Sequence, residues 1–389
     1  MSRRLIPHAE GVALDPEALE GSPEALVDRV CRALRDLDAV PIDRASWSLP
    51  TLDPEVRSFQ IRWTPEDGAR AMTRTYADAD LLARSPLRRL YDGETEVRCR
   101  LLDAAPAVYD IEDDLRAQGF TDYIALAAPR LSPLERAPMT FATRAADGFS
   151  EGQLAVLRDT VTLASLPFSV HAHRVRTRGL LATYLGRDAA SRVLDGHIRR
   201  GDVVALDAAV CFCDLRGFTE RSQQLSPDAL LGLLHDTFGA VVGAVEAAGG
   251  DVLKFIGDAV LAVFVDADGG RAAAVARARA AADAALRALE SVNAARADHG
   301  DPAIAVGISI HVGPVTYGNI GGERRLDFTV IGPTVNLAAR LEGLCAPLGA
   351  RLVLSEEAAS WLPEALRGAP QGPFPLKGIA APQRVWAVR

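Results

Sequence analysis

The segment Asp251 to Phe264, Asp-Val-Leu-Lys-Phe-Ile-Gly-Asp-Ala-Val-Leu-Ala-Val-Phe, leaves its chain little choice of fold. Two β-rich runs flank Gly257-Asp258, a strong two-residue turn signal. The pattern predicts an antiparallel hairpin with Asp258 at its tip. Lys254 interrupts an otherwise apolar strand, where a lysine usually marks a sheet edge that must resist aggregation.

Two further segments flank this hairpin. From Ala205 to Thr219 an apolar strand ends in Asp214 and is followed by the turn Arg216-Gly217-Phe218-Thr219. A helix then begins with Ser226 as cap and Pro227 inside it, and Gly249-Gly250 closes it. A carboxylate at a strand end can hold Mg²⁺, and the free N–H groups of such a turn can face phosphate oxygens. From Asp327 to Leu341 a strand ends at Gly332 and a helix starts at Pro333. Asn336 and Arg340 are four residues apart, so they share one face of that helix. The Ala-rich run Arg271 to Arg296 has the spacing of a surface helix over a sheet.

Asp214-Leu-Arg-Gly-Phe-Thr219, Lys254-Phe-Ile-Gly-Asp258 and Thr329-Val-Ile-Gly-Pro-Thr-Val-Asn-Leu-Ala-Ala-Arg340 together resemble, in order and spacing, the class III nucleotidyl cyclases. Ile308-Ser-Ile-His-Val-Gly313 and Gly318-Asn-Ile-Gly321 look like that family's intervening strands. Leu376-Lys-Gly378 with Arg384-Val-Trp-Ala-Val388 looks like its terminal hairpin. The resemblance covers roughly residues 202–389. It implies an α+β fold whose C-terminal domain is ferredoxin-like (βαββαβ).

It also implies roles. Asp214 and Asp258 would bind two divalent cations, Mg²⁺ or Mn²⁺. The turn Leu215 to Thr219, with Gly217 and Phe218, would cradle phosphates. Asn336 would orient the ribose and Arg340 would neutralise charge on the α-phosphate. Lys254 can donate to adenine N1, and the Thr329 hydroxyl can accept from the 6-amino group. Guanine reverses that pattern, which disfavours the guanylyl cyclase alternative. Lys377 is a candidate phosphate contact from the last hairpin. Thr329 resembles the subgroup often stimulated by bicarbonate. The expected activity is ATP to cyclic AMP and pyrophosphate, in a homodimer whose sites combine the aspartates of one chain with the lysine, threonine, asparagine and arginine of the other. A silent nucleotide-binding module is the rival, and intact motif positions argue against it. One departure stands out: where relatives place a phosphate-binding arginine ahead of the central strand, this chain reads Ala303-Ile-Ala-Val-Gly307.

The remainder of the chain is less explicit. Residues 1–54 read as an N-terminal extension with a helix near Ser22 to Asp36, Ser22 capping it and Pro23 at its first position. Residues 55–170 read as a sensor domain, with Thr64-Pro-Glu-Asp-Gly68 starting a helix-like run and strands at Val97–Leu102, Tyr123–Ala128 and Met139–Thr143. Ser150 caps a helix from Glu151 to about Ser169. Phe120 to Pro129, and Met139 to Thr143 with Gly148 to Gly152, look loosely like GAF and LuxR autoinducer-binding domains. That implies a central antiparallel sheet and a small-molecule regulator; Trp63, Tyr76, Tyr91, Tyr109 and Tyr123 are candidates to line its pocket, with core packing the favoured reading for any single one. An Arg-rich helical connector, 171–201, leads to the catalytic domain, 202–389.

A net charge of −8 makes nucleic acid a poor partner. The Met1-to-His8 segment lacks a signal-peptide core, and no stretch reaches the ~20 apolar residues of a membrane span, Leu154 to Val170 coming nearest. The expected location is therefore the cytoplasm. Five cysteines without a Cys-x-x-Cys pair argue against disulfides and zinc. Cys211 and Cys213, two apart on a strand, are expected to pack together in a core.

Overall fold

The computed structural model describes residues 8–76, 83–102, 106–129, 137–265 and 270–389. The signal-peptide reading of the first residues therefore falls, up to Pro7, outside the described residues. The chain divides into two compact units, meeting in sequence at Thr183 and Tyr184.

The N-terminal unit is built on a six-stranded antiparallel sheet of order β3-β2-β1-β6-β5-β4. Its strands are β1 (Arg44–Pro50), β2 (Val56–Thr64), β3 (Gly68–Thr75), β4 (Glu96–Arg100), β5 (Asp122–Ala127) and β6 (Pro138–Thr143). Alternation along each strand sorts the residues onto two faces. Ala45, Trp47, Leu49, Ile61, Trp63, Met139 and Phe141 bury one face against the helices Pro23–Arg32 and Glu151–Leu185. Trp47 meets Phe168 edge-on, with ring centroids 5.0 Å apart. Ser22 caps the first helix, its hydroxyl accepting from the Ala25 N–H at 3.2 Å.

Three readings of this half change, and the aromatic candidates divide. Residues 44–50, expected in an extension, form a central strand, and the helix before it fills the core. The Thr64-to-Gly68 stretch is a hairpin turn rather than a helix start. Thr64 pairs with Gly68, and Gly68 adopts φ +67°, the left-handed residue that ends a three-residue hairpin loop. The helix from Glu151 runs on to Leu185, past Pro167. Of the five aromatic pocket candidates, Trp63 lies on the core face with its indole N–H donating to Asp28 Oδ1 at 2.9 Å. Tyr76 is exposed and Tyr109 accepts from Arg89, while Tyr91 and Tyr123 line a cavity.

The C-terminal unit carries β7 (Val203–Leu215), β8 (Asp251–Ile256), β9 (Ala259–Val265), β10 (Val306–Gly321), β11 (Leu326–Ile331), β12 (Leu352–Ser355), β13 (Ala369–Phe374) and β14 (Gln383–Val388). Their order is β13-β14-β12-β10-β7-β9-β8, with β11 paired to β10. Helices Pro227–Ala247 and Gly270–Asp298 cover one face, and Cys211 and Cys213 share that core. Helix Pro333–Glu342 contributes Ala338 to the other face, beside Phe212, Tyr317 and Phe328.

Among the described residues, Pro227–Ala247 is the one helix long and apolar enough by composition to cross a membrane, where the sequence reading found no such stretch. In this fold its stripe Leu233, Thr237, Val241, Ala244 and Val245 is buried in the domain. All five cysteines are buried free thiols.

Candidate active site

Three local rules of the chain converge at one end of the sheet. β7 ends at Leu215, so Asp214 sits at the strand's exit, paired in register with Gly307 of β10. Ile256 pairs with Ala259, leaving Gly257-Asp258 as a two-residue tip with Gly257 at φ +65°. Cys213 pairs with Val260, which brings the tip alongside the end of β7 and sets Asp258 beside Asp214.

The sequence did not single out a third carboxylate. Glu342, at the end of helix Pro333–Glu342, lies against Gly307, where no Cβ could fit without striking its Oε1. Burial, then Asp258 and Glu342, push Asp214 up to about 7. Glu342 is also raised, by burial first and by Asp258, with the Arg216 guanidinium opposing. Asp214 Oδ1 is buried and accepts no hydrogen bond. An unpartnered carboxylate oxygen in a crowded acidic corner is what a divalent cation relieves, so Asp214 and Asp258 fit the metal-ligand role.

The Leu215-to-Thr219 turn leads directly out of β7. Gly217, at φ +70°, precedes the short helix Phe218–Gln224, whose first N–H groups have no helical acceptor. Leu215 is buried, whereas Thr219 is exposed. The neighbourhood of the absent family arginine is reached from this side: Arg221 donates to the Ala303 carbonyl at 2.9 Å.

Elsewhere on the domain, β8 and β11 bring Lys254 to Asp327, and the two form an ion pair. Asp327, also missed by sequence reasoning, sits two residues before Thr329, which is buried at 7% exposure. Asn336 and Arg340 stand on the exposed face of their helix, free of side-chain partners among the described residues. Thr334, Ala338 and Leu341 are its buried side. Glu342 follows Arg340 by two residues, about 200° around the helix. The Asn/Arg pair thus points away from the carboxylates of its own chain. Lys377 is exposed in the β13–β14 loop and bonds to nothing among the described residues.

Residues 205–388 match the family described as the adenylate and guanylate cyclase catalytic domain, and this part of the chain is such a domain. Among curated relatives, an adenylate cyclase of Anabaena cylindrica is 38% identical over 151 residues, 38% of this chain and 29% of the relative. An uncharacterized protein of Mycobacterium tuberculosis is 33% identical over 190 residues, 47% of this chain and 32% of the relative. The chain thus spans less than a third of the length of either relative. Among solved structures, the adenylyl cyclase CyaB from P. aeruginosa is 27% identical, with a TM-score of 0.42 over 48% of this chain and 95% of that one.

Proposed function

We propose that the C-terminal unit is an adenylate cyclase that makes 3′,5′-cyclic AMP and pyrophosphate from ATP as a homodimer, with the N-terminal unit as its small-molecule sensor. The observation that carries this reading is the Asp214–Asp258 pair, with an orphaned oxygen on Asp214. When bound there, two divalent cations, Mg²⁺ or Mn²⁺, supply positive charge that eases ionisation of the ribose 3′-hydroxyl and neutralises the departing pyrophosphate.

The chain's own residues do the positioning. The Leu215-to-Thr219 turn offers N–H groups to the phosphates. Arg340 meets the charge that grows on the α-phosphate, and Asn336 orients the ribose. Lys254 donates to adenine N1 and the Thr329 hydroxyl accepts from the 6-amino group, while Asp327 holds the lysine. Because Asn336 and Arg340 face away from their own carboxylates, each site needs a second copy. Phe255, Ile256 and Ile331, each about half exposed, flank Lys254 and Thr329 on β8 and β11 and offer that copy an apolar face.

We read β7–helix–β8–β9–helix–β10, in the sheet order β10-β7-β9-β8, as the ferredoxin-like pattern. Thr329, beside Lys254 in the base-recognition set, resembles the subgroup often stimulated by bicarbonate, and we propose such stimulation here, to be read as activity at fixed pH. We assign the chain to the cytoplasm, where ATP and Mg²⁺ are at hand.

Turnover of the purified chain with ATP and with GTP, in Mg²⁺ and then Mn²⁺, tests this. Cyclic AMP formation that disappears in Asp258→Ala supports the proposal. Cyclic GTP as the main product would overturn the base assignment. Nucleotide binding without either product would favour a silent signalling module.

A further inference from the structure

The N-terminal unit holds a cavity of about 400 Å³ on the sheet face opposite the Trp47–Phe168 core, within the size range of small-molecule sites. The residues that alternate with the core on β1 and β2 form its floor: Arg44, Ser46 and Ser48, then Gln60 and Arg62. Arg57 and Arg74 add two more guanidinium groups.

Among the described residues, counter-charge is scarce here. Arg84 is already paired with Asp110 at 2.6 Å. Arg74 donates to the neutral Gln60 amide at 3.3 Å. Asp114 also lines the cavity and attracts Arg44, but at longer range than an ion pair. Arg44, Arg57 and Arg62 have no ion-pair partner among the described residues. Arg62 Nε and Ser46 Oγ are buried with no hydrogen-bond partner. Burial, then the neighbouring guanidinium, lowers Arg44 and Arg62 from the ordinary arginine value.

Like charges gathered in a half-buried cavity oppose the folded state unless something of opposite sign enters. A sheet face that needed only polarity has serine and threonine for it. Guanidinium forks match phosphate and carboxylate oxygens in pairs, and hydroxyls such as Ser46 complete such a shell. Leu87, Tyr91 and Ile111 make an apolar wall on which an organic body can lie.

We propose that this cavity binds a small organic oxyanion of at least two negative charges, its charged end on Arg44, Arg62 and Arg74 and its body against Tyr91. Phosphate esters and polycarboxylates share that chemistry. The site stands apart from the cyclase reading, because its readout is binding by the N-terminal unit.

The test uses the entire 389-residue chain carrying Asp214→Asn and Asp258→Asn, with EDTA, so that the catalytic domain does not capture phosphates through metal. Inorganic phosphate, pyrophosphate and citrate are titrated at constant ionic strength, read by calorimetry and by the thermal midpoint. Saturable binding with a raised midpoint is expected for at least one probe. The phosphate probes against citrate tell the two sources apart. Arg44→Gln and Arg62→Gln should each weaken binding about tenfold or more. Their unliganded midpoints should match or exceed the parent's, because a repulsion is removed. Absence of saturable binding for all three probes, binding that survives both substitutions, or a lower unliganded midpoint in Arg62→Gln would overturn the proposal. The last outcome would make the arginines structural.

Discussion

Glu342 packs against Gly307, and Gly307 stands opposite Asp214 across the β7–β10 ladder. The lack of a side chain at Gly307 therefore lets a helix-end carboxylate approach Asp214, one of the two aspartates proposed to hold metal. Gly307→Ala should push Glu342 aside, since the new methyl also meets Cys345 Cβ at 3.0 Å. Groups around a metal site typically contribute 10–100-fold in affinity or activity. Glu342→Gln and Gly307→Ala are expected to weaken Mn²⁺ binding by about that factor, measured by metal titration. Unchanged affinity in both would make Glu342 a packing residue only.

Asp214 gives a pH signature to the metal-free protein. Its folded value, about 7, lies above the ordinary aspartate range near 3.9. A raised acid binds its proton more tightly when folded, so its contribution to stability is complete below about pH 4 and is lost as pH climbs through 7. The thermal midpoint of the metal-free chain should fall across that window relative to Asp214→Asn. Saturating Mg²⁺ should flatten the profile, because the cation replaces the proton. Parallel profiles for parent and variant would count against this account.

The Lys254–Asp327 pair should matter for base choice. Without Asp327 the lysine is free to swing, and adenine loses a fixed donor. Asp327→Ala is expected to lower kcat/KM for ATP about tenfold, roughly 1.4 kcal/mol, with a smaller effect on GTP. Equal losses for both nucleotides would assign Asp327 to folding or to dimer formation instead.

The orientation of Asn336 and Arg340 predicts complementation. Asp214→Ala and Arg340→Ala chains should each be inactive. Mixed, they should regain one working site in every heterodimer. Failure to recover activity, with heterodimers shown to form, would sink the shared-site arrangement.

In the N-terminal unit the fully buried Asp122 accepts from Arg98 Nη2 at 2.7 Å and from the Phe149 N–H at 3.0 Å. Gly148 passes so close that a Cβ there would lie 2.7 Å from Asp122 Oδ2. Removing one partner of such a pair leaves an uncompensated charge or donors and costs about 3–5 kcal/mol. Asp122→Ala and Gly148→Ala should both lower the unfolding midpoint of this unit, the first more severely, as followed by denaturant titration.

Much of the site was legible because its determinants are local. A Gly-Asp tip between β-rich runs, an aspartate at a strand exit and an i, i+4 polar pair behind a Gly-Pro helix start are written in adjacent residues. Glu342 and Asp327 were not legible in that way, since their importance comes from which strand or helix packs beside them. The same distinction explains the misread turn. Pro65-Glu66-Asp67-Gly68 suits a helix start and a hairpin loop equally, and only the pairing of β2 with β3 decides. β1 escaped notice because Arg44, Ser46 and Ser48 break its apolar run. Those residues are polar because their face lines a cavity, which no local pattern announces.

The buried thiols have a practical consequence. Cys31 and Cys99 belong to the N-terminal unit, and Cys211, Cys213 and Cys345 to the C-terminal one, each at most 7% exposed. Burial raises all five above the ordinary thiol value, so they resist alkylation while their surroundings stay closed. A pulse of alkylating reagent, followed by peptide mapping, would therefore time the opening of each unit separately in one unmodified chain. The native sequence carries its own pair of stopwatches.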